Sequence, residues 1–118
     1  VPDETRPTRD GERFKFNLMA EDSECNDSSG RLYQLGRFYD VPDVDQCAWQ
    51  CVNEVSDDLA SELRGFDFNC DSLNCDCLYD DTVLTDSLCD TYFDACSFEP
   101  QGKGSISGSA YAKDWTCY

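Results

Sequence analysis

Nine cysteines are the residues of this 118-residue chain best suited to chemistry: Cys25, Cys47, Cys51, Cys70, Cys75, Cys77, Cys89, Cys96 and Cys117. Such thiols either bind metal or pair as disulfides. Zinc sites usually combine two C-x(2–4)-C knuckles, or one knuckle with histidines. This chain has no histidine, and its only close pairs are Cys75-Asp-Cys77 and Cys47-x-x-x-Cys51. We therefore predict disulfides and no metal site.

A disulfide framework indicates an oxidising compartment. The sequence shows no signal peptide, and no apolar run approaches the ~20 residues that a membrane span needs. We expect a mature, secreted product whose leader has been removed, located at the extracellular surface and not inserted in a membrane.

The same composition argues against an enzyme. Without histidine, neither a Ser-His-Asp nor a Cys-His nucleophile can be built. Paired carboxylates for glycoside hydrolysis remain open among 25 acidic residues, but a small disulfide-rich module seldom forms a cleft deep enough to raise a carboxyl pKa. We predict a non-enzymatic protein.

The net charge of −16 is unevenly distributed along the chain. Residues 1–19 hold four acids and four bases and sum to zero, so the whole excess lies in residues 20–118. Such a surface repels nucleic acid phosphates and anionic lipids. No cofactor is expected: the charge indicates a solubilising surface, with weak calcium binding by surface carboxylates as the alternative, and no stretch matches an EF-hand. The carboxylates concerned are Asp57, Asp58, Asp76, Asp80 and Asp81.

Residues 1–24 form an N-terminal arm without cysteine. Phe14, Phe16 and Leu18 alternate with polar residues, so in a strand they share one face. Two interpretations stay open: a terminus whose apolar residues pack locally, or an extended arm that adds a strand to a neighbouring molecule's sheet.

Just after Cys25, Asn26-Asp27-Ser28 is an acceptor motif for N-glycosylation in a polar turn. In a secreted protein from a eukaryotic host we expect Asn26 to carry a glycan.

The clearest element is a helix that begins after Asp43, where Asp43-x-x-Gln46 has the form of a capping box. Cys47 and Cys51 follow at i and i+4 and therefore lie on one face. A helix of this kind needs a sheet with two cysteines that face it.

Alternating residues predict strands at 31–40, bent at Gly36, at 63–70 and at 75–79, with a turn at 71–74. In the 75–79 strand, Cys75 and Cys77 share a face. Residues 81–104 are poor in regular signals, and 102–108 and 110–118 are candidates for two closing strands.

Together these features resemble the PAN/Apple superfamily of extracellular modules. The resemblance covers residues 25–118 and rests on Cys25, the C-x-x-x-C helix, the Gly65-Phe66-Asp67-Phe68 strand, the Cys77-Leu78-Tyr79 strand and Cys117. It implies an α+β fold with one helix packed on a twisted antiparallel sheet, preceded here by the arm.

The resemblance also implies the disulfides Cys47–Cys77, Cys51–Cys70 and Cys25–Cys117. Cys70 lies just after the Gly-Phe strand, where family members place a cysteine before it, so Cys75 can replace Cys70 or Cys77. Cys89 and Cys96 fit a local fourth bridge. Cys75 then has no partner within the chain, so it is either a free thiol or forms an intermolecular disulfide.

PAN/Apple modules mostly serve binding and assembly, which leaves two functional hypotheses. The first is a structural or adhesion subunit that self-associates through its arm into a cell-surface or matrix filament. The second is a monomeric module that binds a glycan or a protein receptor through exposed aromatic residues. The candidates for that role are Tyr33, Tyr39, Trp49, Tyr92, Phe93, Tyr111, Trp115 and Tyr118.

Overall fold

The computed structural model describes residue 16 and residues 18–118. There the chain forms a small disulfide-rich α+β domain with a six-stranded antiparallel sheet and three helices. The elements are β1 (Ala20–Asn26), β2 (Gln34–Phe38), α1 (Val44–Asn53), α2 (Asp57–Glu62), β3 (Gly65–Asn69), β4 (Cys75–Tyr79), α3 (Asp86–Tyr92), β5 (Ala95–Ser97) and β6 (Gly108–Cys117). Hydrogen-bonded neighbours follow the order β1-β6-β3-β4-β2-β5.

Helix α1 begins where the capping box predicts. Asp43 is its N-cap, and the Asp43 carboxylate accepts the backbone N–H of Gln46 at 2.8 Å. Cys47 and Cys51 are buried on the face that packs on the sheet. The predicted helix is therefore confirmed at its start and in its orientation.

The expectation of one helix is incomplete, because the described chain also contains α2 and α3. Both are short and begin at hydroxyl N-caps: Ser56 Oγ accepts the N–H of Leu59, and Thr85 Oγ1 accepts that of Leu88. Two turns or fewer give too little periodicity to be recognised in a sequence. None of the described helices is long and apolar enough to cross a bilayer.

The central strands β3 and β4 lie where alternation predicts them, whereas the outer strands differ. β2 is shorter than the predicted 31–40 strand and is followed by Asp40 at φ 56°. Of the two expected closing strands, the one at 110–118 is confirmed as β6, Gly108–Cys117, whereas the one at 102–108 is wrong. In the preceding segment Gly102 donates its N–H to the Leu32 carbonyl, and Gly104 has φ 84°, which ordinary strands do not adopt.

The sheet has two different faces. Cys75 and Cys77 face α1, together with the paired Phe66 and Phe68 of β3, in the main apolar core. The alternate residues, Asp67 of β3 with Asp76 and Leu78 of β4, therefore point to the other side. We call this side the open face; Leu78 belongs there to a second, smaller core with the Cys25–Cys117 disulfide.

The predicted boundary between the N-terminal arm and the domain at residue 25 falls inside β1. From Ala20 onward this strand pairs with β6, and the Met19 N–H already bonds to the Cys117 carbonyl. The Phe16 ring contacts Phe66 on the α1 side, with centroids 4.9 Å apart, while Leu18 is exposed. Phe14 lies outside the described residues.

Candidate functional site

Four disulfides fix the domain. They join Cys25 to Cys117, Cys47 to Cys75, Cys51 to Cys77 and Cys89 to Cys96. The first and last of these pairs agree with the sequence analysis. The expected pairs Cys47–Cys77 and Cys51–Cys70 do not occur, and the unpaired cysteine is Cys70 rather than Cys75.

The geometry of α1 and β4 explains this correction. Residues i and i+4 of a helix are about 6 Å apart along its axis. Residues i and i+2 of a strand are about 6.7 Å apart and share a face. Cys47 and Cys51 therefore match Cys75 and Cys77 in spacing. Cys70 instead occupies the turn after β3, where it is exposed to solvent.

The sulfurs of Cys47, Cys51 and Cys75 lie within 4.8 Å of one another, and so do the ligand atoms of Cys25, Asp67 and Cys117. These are the two groups of metal-ligand type found in the described residues. Since the thiolate is the form of cysteine that binds metal, the disulfides withdraw these sulfurs from coordination. Neither group includes a carboxylate that the sequence suggested for calcium.

The carboxylates suggested for calcium are dispersed. Asp57 and Asp58 are exposed at the start of α2, and Asp80 forms a bidentate pair with Arg64. Asp81 accepts a hydrogen bond from the Gln34 side chain. Asp76 is not a surface residue, because its side chain is 0 % exposed. Weak calcium binding stays a prediction.

On the open face, Asp76 is paired with Arg37 of the adjacent strand. Arg37 Nε and Nη2 donate to its two carboxylate oxygens at 2.6 and 2.9 Å. The guanidinium carbon also lies 5.6 Å from the centre of the Trp115 ring. Arg37 is thus held between a buried carboxylate and an aromatic face, and this explains how the sheet accommodates a buried acid.

A bend in β1 and β6 covers part of the open face. Asp22 has φ 48° and Asp114 has φ 69°, and the Asp114 N–H donates to the Asp22 side chain at 3.1 Å. The register between the two strands shifts at this bend. Cys25 is thereby brought over the sheet, where its N–H donates to Asp67 Oδ1 at 3.0 Å.

Three carboxylates lie in this region: Glu24 on β1, and Asp67 and Asp76 on the sheet beneath it. Burial raises the pKa of Asp67 well above its usual range. The hydrogen bond from the Cys25 N–H lowers this pKa, whereas repulsion from Asp76 and Glu24 raises it further. Burial also raises the pKa of Asp76 although Arg37 opposes this. Glu24 has a raised pKa because of burial and the charge of Asp76. The single guanidinium of Arg37 does not balance three ionised carboxylates.

A cavity of about 320 Å³ lies beside these groups. Its lining combines apolar with charged side chains, chiefly Leu32, Leu35, Leu78, Glu24, Arg37 and Asp67. The sequence does not predict this site. Asp67 and Glu24 occupy alternate polar positions of strands, which normally face water, and only the bend of β1 places them under a cover.

Asn26, the predicted glycosylation site, ends β1 and is only 9 % exposed. Its Oδ1 lies so close to Gly108 that a Cβ built there would be 2.7 Å away. A glycan on Asn26 requires this side chain to turn outward, and the modification stays a prediction.

The candidate ligand-stacking aromatics divide by exposure. Tyr111 is 80 % exposed and Tyr39 is 48 % exposed, whereas Tyr33 and Phe93 are buried. The remaining four, Trp49, Tyr92, Trp115 and Tyr118, are half-buried.

Comparison of the chain with models of known protein families, with curated proteins and with solved structures gives no match. A functional interpretation therefore starts from the geometry described above.

Proposed function

We propose that this protein is a secreted, non-enzymatic structural or adhesion subunit that self-assembles through its N-terminal arm into a cell-surface or matrix filament. The observation that carries the proposal is the exposed, unpaired thiol of Cys70 in a domain whose other eight cysteines form disulfides.

An odd cysteine in an oxidising compartment is either a reactive free thiol or half of an intermolecular bond. Cys75, the cysteine expected to have this role, is buried and bonded to Cys47. Cys70 has the accessibility that a bond to a second molecule requires. Its backbone N–H is anchored to the Asp114 carbonyl at 3.1 Å, so the turn that carries it is attached to β6.

The architecture also supports a PAN/Apple-like module. That family packs a helix on a twisted antiparallel sheet and joins the two by disulfides, with a further bond between the termini. Here α1 is joined to β4 by two bonds, and Cys25–Cys117 closes a separation of 92 residues. Four disulfides agree with a secreted protein.

Electron microscopy of the native protein, with and without reductant, tests the proposal. We expect regular filaments that are weakened by Cys70→Ser and lost on deletion of residues 1–15, which leaves β1 intact. Ser72→Ala, in the same turn, is the matched control and should leave assembly unchanged. Monodisperse 13.3-kDa particles under all conditions would exclude a filament subunit.

One observation favours the second hypothesis, a monomeric recognition module. The Tyr111 ring is 80 % exposed, and exposed aromatic faces stack on sugar rings. If the protein is monodisperse, binding to a glycan panel that is lost in Tyr111→Ala but kept in Tyr39→Ala would support this module.

A further inference from the structure

We propose that the cavity on the open face receives a basic side chain from the N-terminal arm of a second copy of this chain. The inference rests on the proposed filament function and deepens it by naming the acceptor site and the chemistry of the occupant.

The cavity presents a carboxylate oxygen that the domain itself does not satisfy. Asp67 is 2 % exposed, and its Oδ1 accepts the Cys25 N–H. Within the described residues the structure gives its Oδ2 no hydrogen bond, although Asp67 lines the cavity. This oxygen therefore faces the cavity with no donor from the described part of the domain, and an N–H⁺ group that enters the cavity can donate to it.

The occupant is an extended organic cation rather than a metal ion. The carboxylates of Glu24, Asp67 and Asp76 do not form a metal-ligand group among the described residues. Both oxygens of Asp76 are taken by Arg37, so Glu24 and Asp67, which line the cavity, are the carboxylates available to the several donors of a guanidinium or an ammonium group. The apolar walls at Leu32, Leu35 and Leu78 match the aliphatic stem of an arginine or lysine.

Charge complementarity identifies the arm as the source of this cation. Four of the nine basic residues, Arg6, Arg9, Arg13 and Lys15, lie within positions 6–15. The rest of the chain, residues 20–118, carries the entire net charge of −16. Two copies of the domain repel each other, and the arm is the segment that meets least repulsion at the open face.

The position of Phe16 favours a second copy over the same chain, and the length of the arm is sufficient to reach one. Fifteen extended residues reach up to ~50 Å, more than the 33 Å long axis of the domain. Phe16 packs against Phe66 on the α1 side, whereas the cavity lies on the opposite face. An arm that leaves from the α1 side meets the open face of a neighbour without passing around its own sheet.

Light scattering and electron microscopy of the full chain test this acceptor site. Asp67→Asn keeps an oxygen for the Cys25 N–H but cannot ionise against an entering cation, and Glu24→Gln removes a second ionisable carboxyl group. We expect each to weaken association at least tenfold at low salt. Asp90→Asn, an exposed change of equal charge, is the control and should leave association unchanged. Replacing the four arm bases by glutamine should abolish association.

A synthetic peptide of residues 1–16 provides the second measurement. It should inhibit assembly of the full chain and bind at least tenfold more weakly to the Asp67→Asn protein. Filaments that form equally well from all variants would overturn the acceptor site but leave the filament proposal intact. A chain that never assembles would refute the filament and, with it, a second copy as the occupant, whether or not the peptide binds to the monomers.

Discussion

The sulfurs of Cys51 and Cys75 lie 3.6 Å apart, although they belong to different disulfides. The two bridges are therefore adjacent between α1 and β4, and all four of their cysteines are fully buried. Because these two sulfurs are so close, a disulfide between Cys51 and Cys75 is sterically feasible as an alternative to the observed pairing. The choice is made by the register of the helix over the strand.

Removing a bridge should destabilise the domain more when the loop that it closes is longer, with a logarithmic dependence on loop length. Replacing both Cys47 and Cys75 by alanine opens a separation of 28 residues, and we expect a loss of about 3–4 kcal/mol in the free energy of unfolding. The pair Cys89 and Cys96 closes only 7 residues and should cost about 2 kcal/mol. Urea unfolding measures both losses, and equal ones would contradict the loop-closure explanation.

The Arg37–Asp76 pair should contribute far more to stability than the Arg64–Asp80 pair. Arg37→Gln leaves a fully buried carboxylate without its partner, and we expect a loss of about 3–5 kcal/mol at pH 7. Arg64→Gln is the matched control, because its pair is partly exposed and should cost about 0–1 kcal/mol. The Arg37→Gln loss should shrink in acid, where Asp76 is protonated. Similar losses for the two variants would show that Asp76 is hydrated.

Asp67 should make the protein less stable as the pH rises. In the unfolded chain its pKa is about 3.9, and burial raises the pKa in the folded protein. Below both values the carboxyl is neutral in both states. Above about pH 4 the unfolded state releases the proton first, so folding loses free energy until the pH passes the folded pKa.

The variant Asp67→Asn should therefore gain stability relative to the wild type as the pH increases from 4 to 8. Asp80→Asn should behave in the opposite way, because the Arg64 guanidinium lowers the pKa of Asp80. Its stabilising contribution is present at neutral pH and disappears in acid. Chemical unfolding at several pH values measures both differences, and a pH-independent result for Asp67→Asn would show that Asp67 titrates normally.

Local signals in the sequence predict the centre of this fold well. Asp43 caps α1 as its sequence pattern indicates, and alternation correctly locates β3 and β4. The matching spacings of helix and strand also point to Cys75 and Cys77 as the partners of Cys47 and Cys51, although they do not decide which pairs with which. The resemblance to a family whose third cysteine lies elsewhere in the chain led to Cys70 instead.

The candidate site depends on long-range geometry that no local pattern contains. Asp67 reads as the solvent-facing residue of an alternating strand, and Glu24 as part of the arm. They become neighbours only because β1 and β6 bend at Asp22 and Asp114. Aspartate can adopt a positive φ value but usually does not, so the sequence does not predict such a bend.

The contact between Phe16 and Phe66 gives a direct measure of where the arm packs. Phe16 is half-buried with its ring edge-on to Phe66, while Leu18 is 47 % exposed. We expect Phe16→Ala to lower the free energy of unfolding by about 1–2 kcal/mol, through lost apolar burial and lost ring contact. Leu18→Ala, the control, should change the free energy of unfolding by less than about 0.5 kcal/mol.

A Phe16→Ala loss of stability that is independent of protein concentration indicates packing within one chain. A loss that appears only at concentrations where filaments form would instead place Phe16 on a neighbouring subunit.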